Sequence, residues 1–186
     1  MTLFLAGIAL VILMFCFTRR LLGSLLPERF RQTMRLLIPV YLLINWAFTL
    51  FTRSPGERPV ALVPLHSYLA MLGWDVKSFA DLGRLLGGSW EDPVAFSLKP
   101  LLCLGQNTIL FIPFGFLLCA AGKRPRTAWV LLLGLLLSLF IEICQLLFKL
   151  GFFEADDILH NVLGTYAGIL LYRRVPQQTP PQEAEC

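Results

Sequence analysis

The sequence predicts an all-α fold, a polytopic membrane bundle of about five transmembrane helices. Hydrophobic residues make up 56% of the chain and charged residues only 15%, against about 25% in soluble domains. The mean hydropathy is +0.69. Five apolar runs approach the roughly 20 residues that a helix needs to cross a bilayer. These observations exclude a sizeable soluble domain and predict a single membrane domain over residues 1–175.

The five predicted spans follow from apolar length alone. We expect the first to be a retained helix rather than a cleaved signal peptide, because Arg19 and Arg20 follow its apolar run, whereas a signal peptide has its positive charge in front. The tail 176–186 is rich in Pro, Gln and Glu, which predicts disorder. The spans are residues 2–18, 36–52, 100–121, 127–148 and 158–172.

The long segment 53–99 between the second and third spans contains two stretches with structure of their own. Residues 60–72 are mostly apolar but too short to cross, which predicts a re-entrant or interfacial element. Residues 74–86 place apolar and charged side chains at roughly helical spacing. This pattern fits a helix lying in the membrane interface, and an ordinary structured loop fits it equally well.

The distribution of charge predicts the orientation. With the N-terminus outside, ten of the 16 basic residues and only three of the 12 acidic residues fall on the cytoplasmic side. Cytoplasmic loops of membrane proteins carry such an excess of Lys and Arg. We therefore expect the N-terminus outside and the C-terminus in the cytoplasm.

Polar side chains form a cluster across three of the predicted spans. Ser138, Glu142 and Gln145 have the spacing i, i+4, i+7, which places them on one face of the fourth helix. A carboxylate inside a membrane helix costs a few kcal/mol, so Glu142 indicates a functional site. The expected cluster lies in the outer third of the membrane and comprises Asn107, Ser138, Glu142, Gln145, Asp156, Asp157 and Asn161.

The plainer interpretation of this cluster is a set of interhelical hydrogen bonds, each worth under about 2 kcal/mol. His160, three residues after Asp157, is compatible with a metal ligand or proton carrier, but an interfacial histidine explains it more simply. No Cys or second His completes a familiar metal site, so we predict no metal. We also expect no cofactor and assign no catalytic residue.

Pro113 and three glycines are predicted to shape the helices rather than to bind. Pro113 lacks a backbone donor, which predicts a kink in the third span. Gly164 and Gly168 form a small-xxx-small pair, a pattern that permits close helix approach. Gly115 is likewise predicted to serve helix packing.

Three sequence blocks resemble the VanZ-like family of small bacterial membrane proteins. A fainter similarity lies in RPVALVPL (58–65), although Ala61 stands where the family has Asn, and Gly151 stands near a frequent Arg of the family. The similarity extends over about residues 36–172. The blocks are QNTILFIPFGF (106–116), SLFIEICQ (138–145) and FEADDILHNVLG (153–164).

The resemblance implies a multipass protein of the bacterial plasma membrane with a role in the cell envelope. The founding member of the family is associated with low-level resistance to teicoplanin. The function expected on this basis is non-enzymatic: an outward-facing polar cavity binds a lipid-linked or glycopeptide-like envelope component. The expected partners are the lipid bilayer and that ligand, with no nucleic acid, and the oligomeric state is left open.

Two other classes of function stay open at this point. One is an intramembrane enzyme that acts on a lipid-linked envelope substrate, with Glu142 as general acid or base, since burial raises the pKa of a carboxyl group in the useful direction. The other is a purely structural helical bundle. A small transporter is less consistent with the sequence, because matched repeat halves are absent from it.

Overall fold

The computed structural model describes residues 8–9, 11–18, 20, 27–51, 60–74, 76–87, 99–123, 125–150 and 153–175. Several parts of the sequence interpretation lie outside the described residues. They are residues 2–7 and 10 of the first predicted span, residue 52 of the second, residues 53–59 and 88–98 of the long segment with the Arg58 end of the fainter motif, Gly151, and the predicted disorder of the tail 176–186.

The described chain is almost entirely helical, which confirms the predicted all-α class. Residues 11–18 form α1, and α2 continues directly into a five-residue π-helix. Two strands of two residues each are the described extended elements. In chain order the remaining elements are α2 (Pro27–Trp46), the π-helix (Ala47–Phe51), β1 (Val60–Ala61), α3 (His66–Met71), α4 (Phe79–Leu86), α5 (Lys99–Ala121), α6 (Thr127–Phe148), β2 (Phe153–Glu154) and α7 (Ala155–Arg173).

Three segments among the described helices are long and apolar enough to cross a membrane. They are Glu28–Leu50, Leu104–Ala121 and Thr127–Phe148. Their length and composition support a membrane protein. The two further spans, over residues 2–18 and 158–172, and the orientation of the termini stay predictions.

The closest helix contact joins α5 to α7 and depends on glycine. A Cβ atom at Gly164 would overlap the Thr108 carbonyl oxygen, and one at Gly168 would overlap that of Ile112. From the other side, a Cβ atom at Gly115 would overlap the carbonyl oxygen of Thr165. Each helix therefore presents glycine where the backbone of the other approaches, and α5 and α7 pack more extensively than any other described pair.

Basic side chains gather where α2 begins, α5 ends and α7 ends. Arg35 Nε donates to the Ala121 carbonyl oxygen at 3.2 Å, and Lys123 Nζ lies 3.8 Å from the Glu28 carboxylate. Arg173 donates to the Thr127 hydroxyl at 2.8 Å, which brings the end of α7 to the start of α6. We call this the basic end of the bundle.

The opposite end, which we call the acidic end, carries Glu154, Asp156 and Asp157 where α7 begins. Here β1 pairs with β2 in parallel, with Val60 opposite Phe153 and Ala61 opposite Glu154. These strands could not be predicted from the sequence, because two residues are too few to show an alternating pattern. We call residues 60–74, which comprise β1, a turn and α3, the β1–α3 segment.

Helix α4 covers only the second part of the stretch that the sequence predicted to be helical. It begins at Phe79 because Ser78 and Asp81 form a capping box, in which each side chain bonds the backbone N–H of the other residue. Hydrogen bonds from Ser78 hold the pKa of the Asp81 carboxyl below its usual range. Phe79 and Leu86 are largely exposed, consistent with an amphipathic helix.

Candidate functional site

The polar face of α6 points into the bundle. Ser138, Glu142 and Gln145 are at most 1% exposed, and each has a partner on a different element. Ser138 Oγ accepts from Asn161 Nδ2 of α7 at 2.9 Å. Glu142 Oε2 accepts from the Glu154 N–H of β2 at 3.1 Å. One helix face thus connects α7, β2 and, through Gln145, the end of α2.

Gln145 reaches the π-helix that extends α2. Its Nε2 donates to the Thr49 carbonyl oxygen at 3.1 Å, and the Thr49 hydroxyl donates to the Asn45 carbonyl oxygen at 2.8 Å. A π-helix is rare and often marks a functional position. Here it lies beside a side-chain donor from α6, so the altered backbone and the polar face of α6 belong to one site.

Asp156 holds the β1–α3 segment against α7. Its Oδ1 accepts from the Leu65 N–H at 2.6 Å and its Oδ2 from the Ser67 N–H at 2.7 Å. Leu65, the residue before α3, has a left-handed backbone with φ 67°. The carboxylate is 1% exposed. From the first turn of α7 it caps the N-terminus of α3 and complements the positive end of that helix.

His160 is bonded at both ring nitrogens, and its place in the membrane interface stays a prediction. Nδ1 lies 2.7 Å from the Asp156 carbonyl oxygen, and since a carbonyl only accepts, this nitrogen carries the proton. In the neutral ring Nε2 then accepts from the Tyr68 hydroxyl at 2.8 Å. His160 thus connects α7 to α3 instead of offering a free ligand.

Because the Tyr68 hydroxyl contributes one hydrogen bond to this connection, Tyr68→Phe is expected to cost about 1 kcal/mol. The ring contact between Tyr68 and His160, with centroids 5.8 Å apart, stays in place in this variant. The measurement is thermal unfolding of the purified protein in detergent, where the midpoint should fall by about 2–4 °C. A fall as large as that of an Ala substitution at Tyr68 would contradict a role limited to the hydroxyl.

Asp157 and Asn161, one turn apart on α7, are 6% and 3% exposed. Asn161 joins α6 through Ser138, and its backbone oxygen accepts from the Thr165 hydroxyl at 2.9 Å. Asp157 and Glu142 each make a further interaction besides those named here. The structure therefore places all the α6 and α7 members of the predicted cluster in the interior near the acidic end.

Asn107 and Pro113 of α5 stand apart from these contacts. Asn107 is half-buried, and the structure shows no hydrogen bond from its side chain to any described residue. Helix α5 continues through Pro113, and one turn earlier the Leu110 carbonyl oxygen accepts from the Tyr41 hydroxyl. The proximity of Asn107 to the cluster stays a prediction.

Two grooves accompany the site, and both are mainly apolar. A groove of about 340 Å³ lies between α1, α2 and α5, and its wall includes Pro113 and Tyr41. A groove of about 640 Å³ lies between α6 and α7 and reaches Pro64 and Asp156. In the described part of the chain, no three His, Cys, Asp or Glu side chains gather as a metal site.

The sequence indicated most members of the cluster but not the groups that they bind. Thr49, Leu65 and Ser67 contribute backbone groups, which every residue has and which leave no mark in a sequence. Tyr68 had a weak signal, since an aromatic hydroxyl in an apolar stretch needs a partner when it is half-buried.

The fold and this buried polar site define a helical membrane protein with a polar interior at one end. The sequence profile of the VanZ/LLP1 family matches residues 3–176. The chain therefore belongs to the VanZ/LLP1 family, which confirms the resemblance seen in the motifs.

One similar curated protein is Protein VanZ of Enterococcus faecium. It is 40% identical over 88 residues, which cover 42% of this chain and 52% of that protein. The match thus spans about half the length of this relative. No solved structure matches the chain.

Proposed function

We propose that this protein acts in the bacterial cell envelope and lowers susceptibility to glycopeptide and lipoglycopeptide antibiotics such as teicoplanin. The supporting observation is its membership of the VanZ/LLP1 family over residues 3–176. The similarity to the enterococcal VanZ protein supports the same theme. The charge distribution supports a multipass plasma-membrane protein with the N-terminus outside and the C-terminus cytoplasmic.

On this orientation the acidic end faces outward and is the part proposed to meet an envelope component. Asp156 and His160 of α7 hold the β1–α3 segment there, and Glu142 holds β2. Buried polar side chains that hydrogen-bond to several elements favour one arrangement of those elements. The cluster is therefore proposed to fix the shape of an outward-facing surface.

The groove between α6 and α7 supports a lipid-linked component. Its walls are apolar side chains of two helices, and it ends at Pro64 and Asp156 near the acidic end. Binding sites of this kind combine an apolar wall with a few polar groups that fix orientation. A lipid tail along the helices would leave its polar head beside the β1–α3 segment.

The geometry favours a positioning role for Glu142 over general acid or base catalysis. The side chain is 1% exposed, and one carboxylate oxygen accepts the Glu154 N–H. A general base needs to come within hydrogen-bond reach of the proton it removes. A carboxylate buried in this way is better placed to hold β2 in position than to exchange a proton with a substrate.

The test compares the wild-type protein with Glu142→Gln in a sensitised bacterial strain. Gln keeps an oxygen that can accept the Glu154 N–H, so folding and abundance are expected to stay at the wild-type level. Because a neutral amide oxygen holds that N–H less strongly than a carboxylate does, β2 is expected to lose its fixed position. The minimal inhibitory concentration of teicoplanin is then expected to return to that of a strain with empty vector. Membrane abundance is measured by immunoblot in the same cells.

Glu28→Gln is the matched control, because Glu28 is an exposed carboxylate at the basic end, paired with Arg31 and Lys123. This variant should protect as well as the wild type. A fully protective Glu142→Gln protein would exclude a functional role for that carboxylate. Wild-type protein that gives no protection beyond empty vector would refute the proposed function itself.

A further inference from the structure

Apolar side chains are exposed on α6 up to its last turn at the acidic end. Leu147 and Phe148 are both more than half exposed, directly before Lys149, where the helix ends. Exposed apolar surface on a helix long enough to cross a membrane indicates contact with lipid. The lipid-facing surface of α6 therefore continues to the end of the helix.

The two short strands lie closer to the middle of the bundle than that end of α6. Glu142, which accepts the N–H of Glu154 in β2, precedes Phe148 by six residues, about 9 Å along the helix axis. The Cα–Cβ bond of a helical residue tilts toward the helix N-terminus, here away from the end of α6. β2, and β1 paired with it, thus lie at a depth where α6 still faces lipid.

The β1–α3 segment presents apolar side chains at this depth. Leu62, Leu65 and Leu72 are all exposed. Pro64 lies in the wall of the groove between α6 and α7, so the surface of the segment is continuous with the outer surface of these two long helices. A loop that projects into water would carry polar side chains at such positions.

Several N–H groups of this segment are bonded within the protein. Asp156 accepts those of Leu65 and Ser67. The Lys77 carbonyl oxygen accepts that of Leu62 at 3.1 Å. Non-helical backbone occurs at membrane depth only where the protein itself satisfies its polar groups. Asp156 thus supplies the acceptors that water supplies to an exposed loop.

Helix α4 has an apolar face that the rest of the described structure leaves uncovered. Phe79, Leu82 and Leu86 have the spacing i, i+3, i+7 on one face, and Asp81 and Arg84 lie on another. The helix packs extensively against none of the other described elements, and Phe79 and Leu86 are largely exposed. An amphipathic helix of this kind lies in a membrane interface with its apolar face toward the lipid.

We propose that the β1–α3 segment and α4 are embedded together in the lipid leaflet at the acidic end. Their partner is the boundary between the lipid headgroups and the acyl chains. The hydrogen bond from Leu62 to Lys77 holds the start of α4 beside β1, so the exposed leucines of the segment and the apolar face of α4 form one lipid-facing surface. An envelope component that meets the acidic end then approaches through the lipid and needs an apolar anchor, a step that rests on the proposed function.

The experiment attaches one spin label at a time to the purified full chain, in liposomes of phosphatidylethanolamine and phosphatidylglycerol. The label is carried by Leu65→Cys, Leu86→Cys or Arg84→Cys, in a chain whose five native cysteines are replaced. Oxygen is apolar and concentrates among acyl chains, whereas a water-soluble nickel chelate stays outside them. The ratio of the collision rates of the label with these two molecules therefore reports whether lipid or water surrounds it.

Leu86 and Arg84 form a matched pair in α4, because the protein leaves both exposed. Leu86 is 79% exposed and the Arg84 side chain 67%, so in water the two labels would give the same ratio. Labels at Leu65→Cys and Leu86→Cys are expected to favour oxygen severalfold more than the label at Arg84→Cys. Equal ratios at the three positions would overturn the proposal.

Photochemical labelling tests the same contact in the wild-type chain, without any substitution. A phosphatidylcholine with a diazirine on its acyl chain reacts on illumination with the side chains that it contacts, and mass spectrometry locates the modified peptides. Labels are expected within residues 62–72 and 79–86, and labelling confined to the long helices would overturn the proposal. Neither measurement involves an antibiotic, so a failure of the membrane contact and a failure of the susceptibility test are separate outcomes.

Discussion

Gly164→Ala is expected to prevent normal assembly of the bundle, although it adds a single methyl group. The new Cβ atom would overlap the Thr108 carbonyl oxygen and lie 2.9 Å from the carbonyl carbon of Thr108 and 3.0 Å from Phe111 Cβ. Two of these three atoms belong to the backbone of α5, which cannot turn aside as a side chain can. The helices have to separate, at a cost of about 3 kcal/mol or more.

The measurement is the yield of monodisperse protein in detergent, followed by thermal unfolding of whatever is recovered. A loss of about 3 kcal/mol corresponds to a midpoint about 6–12 °C lower for a chain of this size. Gly83→Ala is the matched control, because a Cβ atom at Gly83 in α4 meets nothing within 4 Å. Alanine favours a helix over glycine by about 0.5–1 kcal/mol, so this variant should be at least as stable as the wild type.

If Gly164→Ala and Gly83→Ala had the same midpoint, the close approach of α5 and α7 would be wrong. A second check is Gly168→Ala, whose Cβ atom would overlap the Ile112 carbonyl oxygen one turn further along the same contact. It should behave like Gly164→Ala. A defect confined to one of the two positions would indicate that the helices cross at a steeper angle than the structure shows.

The sequence predicted the helical class because apolar length is a strong signal. Over α6, 22 residues contain a single charged side chain, Glu142. In the same helix, the spacing of Ser138, Glu142 and Gln145 predicted a shared face, since a period of 3.6 residues puts them on one side. The structure places that face inside the bundle, with all three side chains buried.

The tertiary partners of the site could not be predicted, for a physical reason. The Asp156 carboxylate binds N–H groups of Leu65 and Ser67, about 90 positions away in the chain. Backbone groups are the same in every residue, so no sequence pattern indicates which of them bind a side chain. The same holds for the Thr49 carbonyl oxygen in the π-helix, where only the register of the backbone, and no residue type, made it available to Gln145.

Asp156→Asn is expected to release the β1–α3 segment while the long helices stay folded. Each Asp156 oxygen accepts one backbone N–H, at 2.6 and 2.7 Å. An amide offers one oxygen, so its NH₂ group would face the N–H of Leu65 or Ser67, donor against donor. Hydrogen bonds to a charged group contribute about 1.5–3 kcal/mol each, and Leu65 holds a left-handed backbone that costs a further 1–2 kcal/mol, roughly, without support.

Hydrogen exchange followed by mass spectrometry measures this release directly. A loss of about 2.8 kcal/mol in local stability makes amides of residues 62–72 exchange about a hundredfold faster, since each 1.4 kcal/mol is a factor of ten. Amides of α5 and α6 should keep their protection, because their contacts with α7 do not involve Asp156. Protection against teicoplanin should fall as well if the segment forms the outward-facing surface.

Two further variants distinguish the loss of the α3 cap from a general effect of removing a carboxylate. Asp81→Asn alters a partly exposed carboxylate that caps α4 locally, so exchange over residues 62–72 should not change. Leu65→Gly removes the left-handed penalty at φ 67°, so adding it to Asp156→Asn should restore part of the protection. If Asp156→Asn exchanged at the wild-type rate over residues 62–72, the carboxylate would not be what holds the β1–α3 segment, and its burial would need another cause.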